Sequence, residues 1–384
     1  MARNANKAKT EFLQRMSHDI RTPINGIRGL VEIGNYYADD LQKQKECREK
    51  IWQSSGFLLD LINEVLDMGK LSSGEVTLEE VPFDLDELQA EVKEIIAQQA
   101  KEKGIEIFVK KCEVQHKLLL GSPVHVKRIF LNVLSNAVKY NKDNGKIYLS
   151  TVETGCENGV VTFEFIVEDT GIGISKRFLP HVFEAFAQDG DVARSSYEGT
   201  GLGMPIVKSL VEKMGGSVEV ESEKGIGSIF TLHIPFKLAE QSVEKKQSEK
   251  LAPDAARGMH VLLAEDNDLN LEIAQFFLQN AGVTYVAARN GREAVEKFAE
   301  AAPGTFDALL MDVMMPYMNG LEATKQIRAL EREDAKTVPI IAMTANAFVE
   351  DKKQALEAGM TNYLTKPLES TALIKMLARF AKKK

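Results

Sequence analysis

Phe12-Leu-Gln-Arg-Met-Ser-His-Asp-Ile-Arg-Thr-Pro-Ile-Asn-Gly26 carries the most informative pattern in the chain. Apolar residues recur there at steps of three and four, which is typical of one face of an amphipathic helix; they are Leu13, Met16, Ile20, Ile24, Ile27 and Val31. His18 lies off this stripe beside Asp19, and Thr22 follows one turn later on the same face as His18. Pro23 lacks a backbone donor, so we expect the helix to bend just after the histidine.

A second apolar stripe indicates that this helix has a partner within the chain. Its members are Ile51, Leu58, Ile62 and Val65, with Trp52, Leu59 and Leu66 alongside. The segment Tyr36-Tyr-Ala-Asp-Asp40 is a plausible short connection between the two helices. Two helices with wide apolar faces cannot hide them alone, so we expect residues 1–72 of two chains to pair into a four-helix bundle, as a homodimer. The alternative is that these helices pack against the domain that follows.

Composition restricts the function classes. A net charge of −8 argues against a nucleic-acid partner, because nucleic-acid surfaces are basic. The three cysteines are far apart and are expected to be reduced, cytoplasmic thiols rather than a zinc site. No apolar run approaches the roughly 18 residues of a membrane-spanning helix, so we expect no membrane insertion within residues 1–384. Residues 2–10 are typical of the middle of a longer helix, which predicts an upstream sensor segment through which the native protein is membrane-tethered.

The segment 76–237 has the pattern of a second domain, an α/β sandwich with one sheet face covered. We predict helices at 84–101, 123–140 and from about 202, and strands at 105–110, 146–154, 160–168 and in a hairpin at 217–236. The stretch from Gly74 to Phe83 is interpreted as a turn-rich break. Asn132 and Asn136 lie one turn apart on a predicted helix, so their side-chain oxygens can converge on a hard cation. The alternative is that both are solvated surface residues.

Two glycine-containing clusters lie in the same domain. Asp169-Thr-Gly-Ile-Gly173 follows a strand, where a carboxylate can accept an amino-group hydrogen bond and glycines allow backbone to approach a flat ring. Gly199-Thr-Gly-Leu-Gly203 runs into a helix, whose free amides and dipole suit phosphate. Each cluster alone is weak evidence for a binding site, since glycines in loops usually mark ordinary turns.

Together with Phe183-Glu-Ala-Phe186, these segments resemble, in order, the four boxes of the ATP-binding domain of histidine kinases, a fold shared with gyrase and Hsp90. The segment around His18 resembles the phospho-acceptor box of the same family. The resemblance implies that Asp169, near Gly171 and Gly173, holds the adenine amino group and that Asn132 and Asn136 coordinate magnesium. The residues implied to lie near the nucleotide and its phosphates are Lys139, Tyr140, Thr200, Gly201, Leu202 and Gly203. Residues 187–198 would form a mobile lid.

Residues 238–258 lack aromatic residues and are predicted to be a linker. From residue 259 to 384, strands and helices alternate strictly, which predicts a five-stranded doubly wound parallel α/β fold. Strands are expected at 260–264, 285–287, 308–312, 340–344 and 361–364, and a last helix from 369. Glu265 and Asp266 end the first strand and Asp312 ends the third. Three converging carboxylates are unfavourable unless a divalent cation, here magnesium, neutralises them.

These carboxylates, with Thr344 and Lys366-Pro367, resemble the receiver domain of response regulators. The resemblance implies that Asp312 accepts the phosphoryl group and that Glu265, Asp266 and the Met314 carbonyl bind magnesium. Thr344 and Lys366 would bind the phosphoryl oxygens, and Tyr363 would be an aromatic switch. The alternative interpretation is a set of surface carboxylates without a metal, beside a cis-proline loop at Lys366.

The combined resemblance is to a hybrid sensor histidine kinase. It implies transfer of a phosphoryl group from ATP to His18 and then to Asp312 of the chain's own receiver domain, and onward to a histidine-phosphotransfer protein or response regulator. Asp19 is the implied base, and Thr22 is implied to position water for dephosphorylation. The alternatives are an ATP-driven clamp that never forms phosphohistidine, and a silent scaffold whose receiver only docks partners.

Overall fold

The computed structural model describes residues 2–73, 76–185, 187, 201–239, 255–344 and 349–381, with backbone only for 2–15, His18 and some other helical positions. The chain divides into two compact units, residues 1–243 and 244–384. The first unit contains a helical hairpin and a middle domain, and the second contains a C-terminal domain. Each unit is described by itself below.

The hairpin confirms the two predicted helices and their short connection. Helix α1 spans Ala2–Tyr36 and helix α2 spans Leu41–Ser73. Helix α1 continues without a break through Pro23. At the turn, Asp40 Oδ1 accepts a hydrogen bond from the Lys43 N–H at 2.9 Å, which satisfies one of the free amides at the start of α2.

Among the described side chains of the hairpin, few apolar ones are fully buried within one chain; they include Leu61, Met16 and Cys47. The two predicted stripes are partly exposed, at Ile24 and Val31 in the first and at Ile62 in the second. The residues alongside the second stripe, Trp52, Leu59 and Leu66, are exposed as well. An exposed apolar face of this size is unusual on a monomer and indicates an interaction surface.

The middle domain is a seven-stranded mixed sheet with helices on one face. Its elements are β1 (Val81–Asp84), α3 (Leu85–Glu102), β2 (Glu106–Glu113), β3 (Leu118–Gly121), α4 (Pro123–Lys139), β4 (Lys146–Glu157), β5 (Val160–Asp169), a 3₁₀ turn (Leu179–His181), α5 (Gly203–Lys213), β6 (Ser217–Glu223) and β7 (Gly227–Leu238). The strand order is β1-β3-β7-β5-β4-β2, with β6 paired to β7. Burial alternates along β5, as expected of a sheet with one covered face.

Two strands of this sheet contradict the sequence interpretation. Strand β1 lies in the stretch interpreted as a break, and β3 was not predicted at all. They pair antiparallel with each other, with Phe83 opposite Leu119, and β3 also pairs with β7. Neither short sequence alternates regularly between apolar and polar residues, and both strands form by pairing with distant parts of the chain.

One core holds the middle domain together and reaches the hairpin. Helices α3, α4 and α5 contribute residues such as Val92, Ile129 and Val207, which pack with Phe163 and Leu232 of the sheet. Val65 of α2 packs against the same core. Helix α2 therefore contacts the middle domain, as the alternative interpretation of the helices predicts, while Ile62 and the neighbouring Trp52, Leu59 and Leu66 stay exposed.

The C-terminal domain confirms the doubly wound prediction. Its elements are β8 (His260–Ala264), α6 (Asp268–Asn280), β9 (Thr284–Ala288), α7 (Gly291–Glu300), β10 (Ala308–Asp312), α8 (Gly320–Ala329), α9 (Glu333–Thr337), β11 (Ile340–Thr344), α10 (Val349–Glu357), β12 (Asn362–Thr365) and α11 (Ser370–Ala378). All neighbouring strands are parallel, in the order β12-β11-β10-β8-β9, with a core cluster on each face. The short helix α9 was not predicted. None of the helices in the described ranges combines the length and the hydrophobicity that a membrane crossing requires.

Candidate functional site

The predicted phospho-acceptor segment lies within α1. His18, Asp19 and Thr22 all belong to this helix, and Pro23 is buried in it. Asp19 is half-buried and Thr22 is exposed. The side chain of His18 lies outside the described residues, so the predicted contact between His18 and Asp19 stays a prediction.

Asn132 and the start of α5 lie side by side. A Cβ atom added to Gly203 would stand 3.5 Å from Asn132 Oδ1. The amide nitrogen of Asn132 is buried and has no hydrogen-bond partner among the described residues. Buried polar groups are nearly always paired, so this amide fits a site whose ligand completes the pairing. The structure therefore brings together the helix of Asn132 and Asn136 and the glycine cluster that were predicted to hold one nucleotide.

Asp169 is a buried carboxylate at the end of β5. Its side chain is 8% exposed, and its Oδ1 accepts a hydrogen bond from the Gly171 N–H at 2.8 Å. Burial raises the pKa of Asp169 to about 6, although backbone hydrogen bonds from Gly171 and Ser228 oppose this change. A buried carboxylate with its remaining lone pairs available suits an amino group of a ligand.

The glycines after Asp169 are needed for packing within the protein. A Cβ atom at Gly171 would stand 2.3 Å from the Tyr140 carbonyl oxygen, and one at Gly173 would stand 2.0 Å from the Glu223 carbonyl oxygen. Gly173 also has a φ of +63°, which side chains rarely adopt. The sequence interpretation assigned these glycines to the approach of a flat ring. The structure supplies a different reason, the close contact of the loop with backbone at residues 140 and 223.

Asn141 is a site-forming residue that the sequence interpretation missed. It is 1% exposed, its Nδ2 donates to the Lys146 carbonyl oxygen at 3.1 Å, and its Oδ1 accepts from the Thr170 hydroxyl at 3.3 Å. These bonds join the end of α4 to the loop that carries Asp169. Its position directly after Lys139-Tyr140 gave no spacing signal that could have identified it.

Other predicted nucleotide residues lie around the same region. The Lys139 Nζ is 5.2 Å from the centroid of the Tyr140 ring, and burial raises the pKa of Tyr140. Leu202 is fully buried and immediately precedes α5, and Gly201 has a φ of +70°. Thr200, Phe186 and most of the predicted lid lie outside the described residues, as does most of the predicted linker.

Three carboxylates converge in the C-terminal domain, as predicted. Each of Glu265, Asp266 and Asp312 offers an oxygen atom, and these oxygens lie within 4.8 Å of one another. Glu265 is fully buried and Asp312 is 4% exposed, whereas Asp266 is exposed. Glu265 Oε1 also accepts a hydrogen bond from Asn270 Nδ2 at 2.9 Å, an orienting contact that was not predicted.

Lys366 bridges two of the three carboxylates. Its Nζ lies 2.6 Å from Glu265 Oε2 and 2.6 Å from Asp312 Oδ2. Burial lowers the pKa of Lys366, but the hydrogen bonds to both carboxylates outweigh it, so the pKa is raised overall. Burial raises the pKa of Asp312 against the opposing bond from Lys366. One ammonium cannot balance three carboxylates, so the donor set fits a divalent cation, and oxygen ligands suit magnesium.

The remaining predicted residues of this cluster lie nearby. The Met314 N–H donates to Asp312 Oδ1 at 3.1 Å, while its side chain is 78% exposed. The Lys366 N–H donates to the Thr344 carbonyl oxygen at 2.7 Å, which holds Thr344 beside the lysine. Tyr363 is half-buried on β12 and packs against the domain core. The Lys366–Pro367 peptide bond is cis.

Replacement of Asp169 by asparagine is expected to stabilise the middle domain at neutral and alkaline pH. Because the folded pKa exceeds the unfolded value, the buried carboxylate costs free energy once it ionises, whereas the amide still accepts the Gly171 hydrogen bond. We expect a gain of about 1–3 kcal/mol at about pH 8, falling by roughly half at about pH 5. Thermal unfolding at the two pH values, with exposed Glu219→Gln as control, measures the gain; a variant less stable than the parent at the higher pH contradicts it.

Replacement of Lys366 by methionine is expected to destabilise the C-terminal domain by roughly 3 kcal/mol, because two buried carboxylates lose their partner. Added magnesium is expected to raise the melting temperature of Lys366→Met more than that of the parent, since the cation replaces the ammonium. Calorimetry with and without magnesium measures both effects. Lys325→Met, at an exposed position of α8, is the control. Equal magnesium effects in Lys366→Met and the parent would exclude the carboxylate cluster as the cation site.

Three family models match the chain in series. Residues 8–74 match the His Kinase A (phospho-acceptor) domain. Residues 121–238 match the histidine kinase-, DNA gyrase B- and HSP90-like ATPase, and residues 261–378 match the response regulator receiver domain. The order of the matches is the order of the hairpin, the middle domain and the C-terminal domain.

Curated relatives match along nearly the whole chain. The sensory/regulatory protein RpfC of Xanthomonas campestris pv. campestris is 32% identical, in an alignment that covers 99% of this chain and 55% of RpfC. The autoinducer 2 sensor kinase/phosphatase LuxQ of Vibrio harveyi is 32% identical, with 97% and 43% covered. The aerobic respiration control sensor protein ArcB of Escherichia coli K12 is 33% identical, with 98% and 47% covered. The chain spans about half the length of these relatives, and with its three domains in this order it belongs to the hybrid histidine kinases.

Proposed function

We propose that this chain is a protein-histidine kinase that phosphorylates His18 from ATP and passes the phosphoryl group to Asp312. The observation that carries the proposal lies in the middle domain, where Asn132 lies beside Gly203 at the start of α5 and its amide nitrogen finds no hydrogen-bond partner within the described part of the chain. The buried carboxylate of Asp169 completes a site suited to a purine nucleotide in the same domain. The carboxylate cluster of the C-terminal domain supplies an acceptor for the same group.

In the middle domain, we assign the adenine to Asp169, whose ionised carboxylate accepts a hydrogen bond from the exocyclic amino group. Asn132 and Asn136 would hold magnesium against the phosphates, with Lys139 and Tyr140 beside the nucleotide. The backbone at 200–203 and the dipole of α5 suit the phosphate oxygens. When bound, magnesium neutralises phosphate charge here and at the carboxylate cluster, and the rest of catalysis is positioning.

At the phospho-acceptor, the neutral imidazole of His18 forms a P–N bond to the γ-phosphorus as the bond to the ADP oxygen breaks. Asp19 is the base that takes up the second imidazole proton and fixes the tautomer. Thr22, one turn away on the exposed face of α1, would position water for dephosphorylation of a docked receiver. A single chain is then both kinase and phosphatase, and the name of LuxQ as a sensor kinase/phosphatase is consistent with this pairing.

In the C-terminal domain, a carboxylate oxygen of Asp312 attacks the phosphoryl group as the P–N bond to the imidazole breaks. Lys366 already contacts Asp312 and would bind the transferred phosphoryl oxygens, together with Thr344. Glu265, Asp266 and the carbonyl of Met314 are the further magnesium ligands. Movement of Thr344 toward the acyl phosphate, followed by burial of Tyr363, would alter the surface near β11 and β12.

We also propose that the exposed apolar face of the hairpin pairs with a second copy of the chain. Ile24, Val31, Leu59, Ile62 and Leu66 form a surface that water disfavours. Val65 already packs against the core of the middle domain, so the exposed residues remain available to the second chain. A downstream histidine-phosphotransfer protein or response regulator would then receive the group from Asp312.

Incubation with magnesium and γ-labelled ATP tests the kinase directly. We expect covalent label in the parent, none in His18→Ala or Asp169→Asn, and acid-labile, base-stable label in Asp312→Ala. Gel autoradiography after acid or base treatment identifies the labelled residue type. Hydrolysis of ATP that persists in His18→Ala and Asp312→Ala, without covalent label, would favour the ATP-driven clamp. Absence of both label and hydrolysis would favour the scaffold.

A double substitution on the hairpin tests the dimer. Leu59→Glu with Leu66→Glu places two charges on the proposed interface, and both residues are exposed in the single chain, so folding of the chain is expected to be retained. Light scattering should give a dimer for the parent and a monomer for the variant. Ile226→Glu, at a 63% exposed position of the middle domain, is the control. A variant that stays dimeric would place the interface elsewhere.

A further inference from the structure

A half-open cavity lies in the middle domain between helices α3 and α4 and strands β2, β4 and β5. Its volume is about 240 Å³. Most of its wall is apolar, and the main contributors are Val92, Phe130, Leu134, Leu149, Phe165 and Val167. The opening follows from the topology, because β2 is the edge strand of the sheet and Val109, which lines the cavity, is 55% exposed.

The polar groups of the cavity are few and define what it would accept. Gln89 Nε2 donates to Thr151 Oγ1 at 3.0 Å, and both residues line the cavity. Among the lining residues Lys93 alone is charged, and it is exposed. A mostly apolar wall with this hydroxyl–amide pair and Ser150 suits a small uncharged molecule that carries few hydrogen-bonding groups.

The cavity is separate from the proposed nucleotide site. Thr151 of β4 lies opposite Phe165 of β5, whereas Ile147 lies opposite Asp169. Four residues of strand separate the two pairs, a distance of roughly 13 Å. The lining residues include none of those assigned to the nucleotide.

Helix α4 connects the two sites. Phe130 and Leu134 line the cavity one turn apart, while Asn132 and Asn136 are offset from them by two residues and so lie on a different face of the helix. A molecule packed against Phe130 and Leu134 would contact the cavity-facing side of α4 and stabilise the position of that helix. That support would hold the two asparagines in one arrangement before the nucleotide arrives, which lowers the ordering cost of nucleotide binding.

We propose that this cavity binds a small, uncharged, mostly apolar molecule and that its occupancy tightens nucleotide binding through α4. The binding site stands on the geometry of the cavity alone. The regulatory part rests on the function proposed above.

Protection of a cysteine tests the binding site, with indole as the probe. Cys112 is exposed and lines the cavity, whereas Cys156 is exposed but lies outside it. Iodoacetamide alkylation of each thiol in the full chain, followed by peptide mass spectrometry, should show that indole slows Cys112 several-fold and leaves Cys156 unchanged. Val109→Phe, which places an aromatic ring at the opening of the cavity, should remove the protection of Cys112. Val160→Phe, at an exposed position of β5 outside the cavity, should leave that protection unchanged. Equal rates at Cys112 with and without indole would overturn the proposal.

Nucleotide affinity tests the coupling. We expect indole to lower the Kd for ATP by about fivefold in the parent and to leave it unchanged in Val109→Phe. Selective protection of Cys112 with an unchanged Kd would overturn the regulatory part. A chain that binds no ATP at all would contradict the proposed function, while the alkylation rates would still decide whether the cavity binds the probe.

Discussion

Burial of a carboxylate at the carboxyl end of a strand is the constraint on which both candidate sites depend. Asp169 ends β5 and Asp312 ends β10, and each is almost fully buried. A buried charge is unfavourable unless hydrogen bonds or an opposite charge compensate it. The middle domain compensates Asp169 with backbone N–H groups, which leaves the pKa near 6 and the carboxylate ready for a neutral donor. The C-terminal domain compensates Asp312 with the ammonium of Lys366, which leaves a negative cluster ready for a cation.

The loops around Asp169 transmit this constraint to the rest of the middle domain. Gly171 packs against the Tyr140 carbonyl, and Asn141 joins the same loop to the end of α4. Helix α4 in turn brings Asn132 beside Gly203 at the start of α5. The position of one buried carboxylate and the position of the helix that would face the phosphates are therefore fixed by one connected set of contacts. The proposed nucleotide site is therefore shaped by backbone packing more than by flexible side chains.

The sequence was most informative where strands and helices alternate regularly and where polar motifs follow the ends of strands. All five strands of the C-terminal domain follow from apolar runs that alternate with helices, and the convergence of Glu265, Asp266 and Asp312 follows from the two of these runs that end in carboxylates. Strands β1 and β3 could not be predicted, because their short sequences carry no regular alternation and they pair with distant parts of the chain. Asn141 and Asn270 were missed for a related reason. Each acts through contacts with residues that only the fold brings near, so neither shows a spacing pattern. The glycines after Asp169 were singled out for the approach of a flat ring, whereas the contacts that the structure shows at them are with backbone at residues 140 and 223.

The central claim is that one phosphoryl group passes through a histidine to an aspartate. A pulse of γ-labelled ATP followed by an excess of unlabelled ATP tests it most directly, with the label in the parent followed over time. We predict that acid-labile, base-stable label at His18 falls as base-labile label at Asp312 rises, with the two pools related as precursor and product. Simultaneous appearance of both pools, or label at Asp312 in a chain with His18→Ala under the same conditions, would contradict the relay.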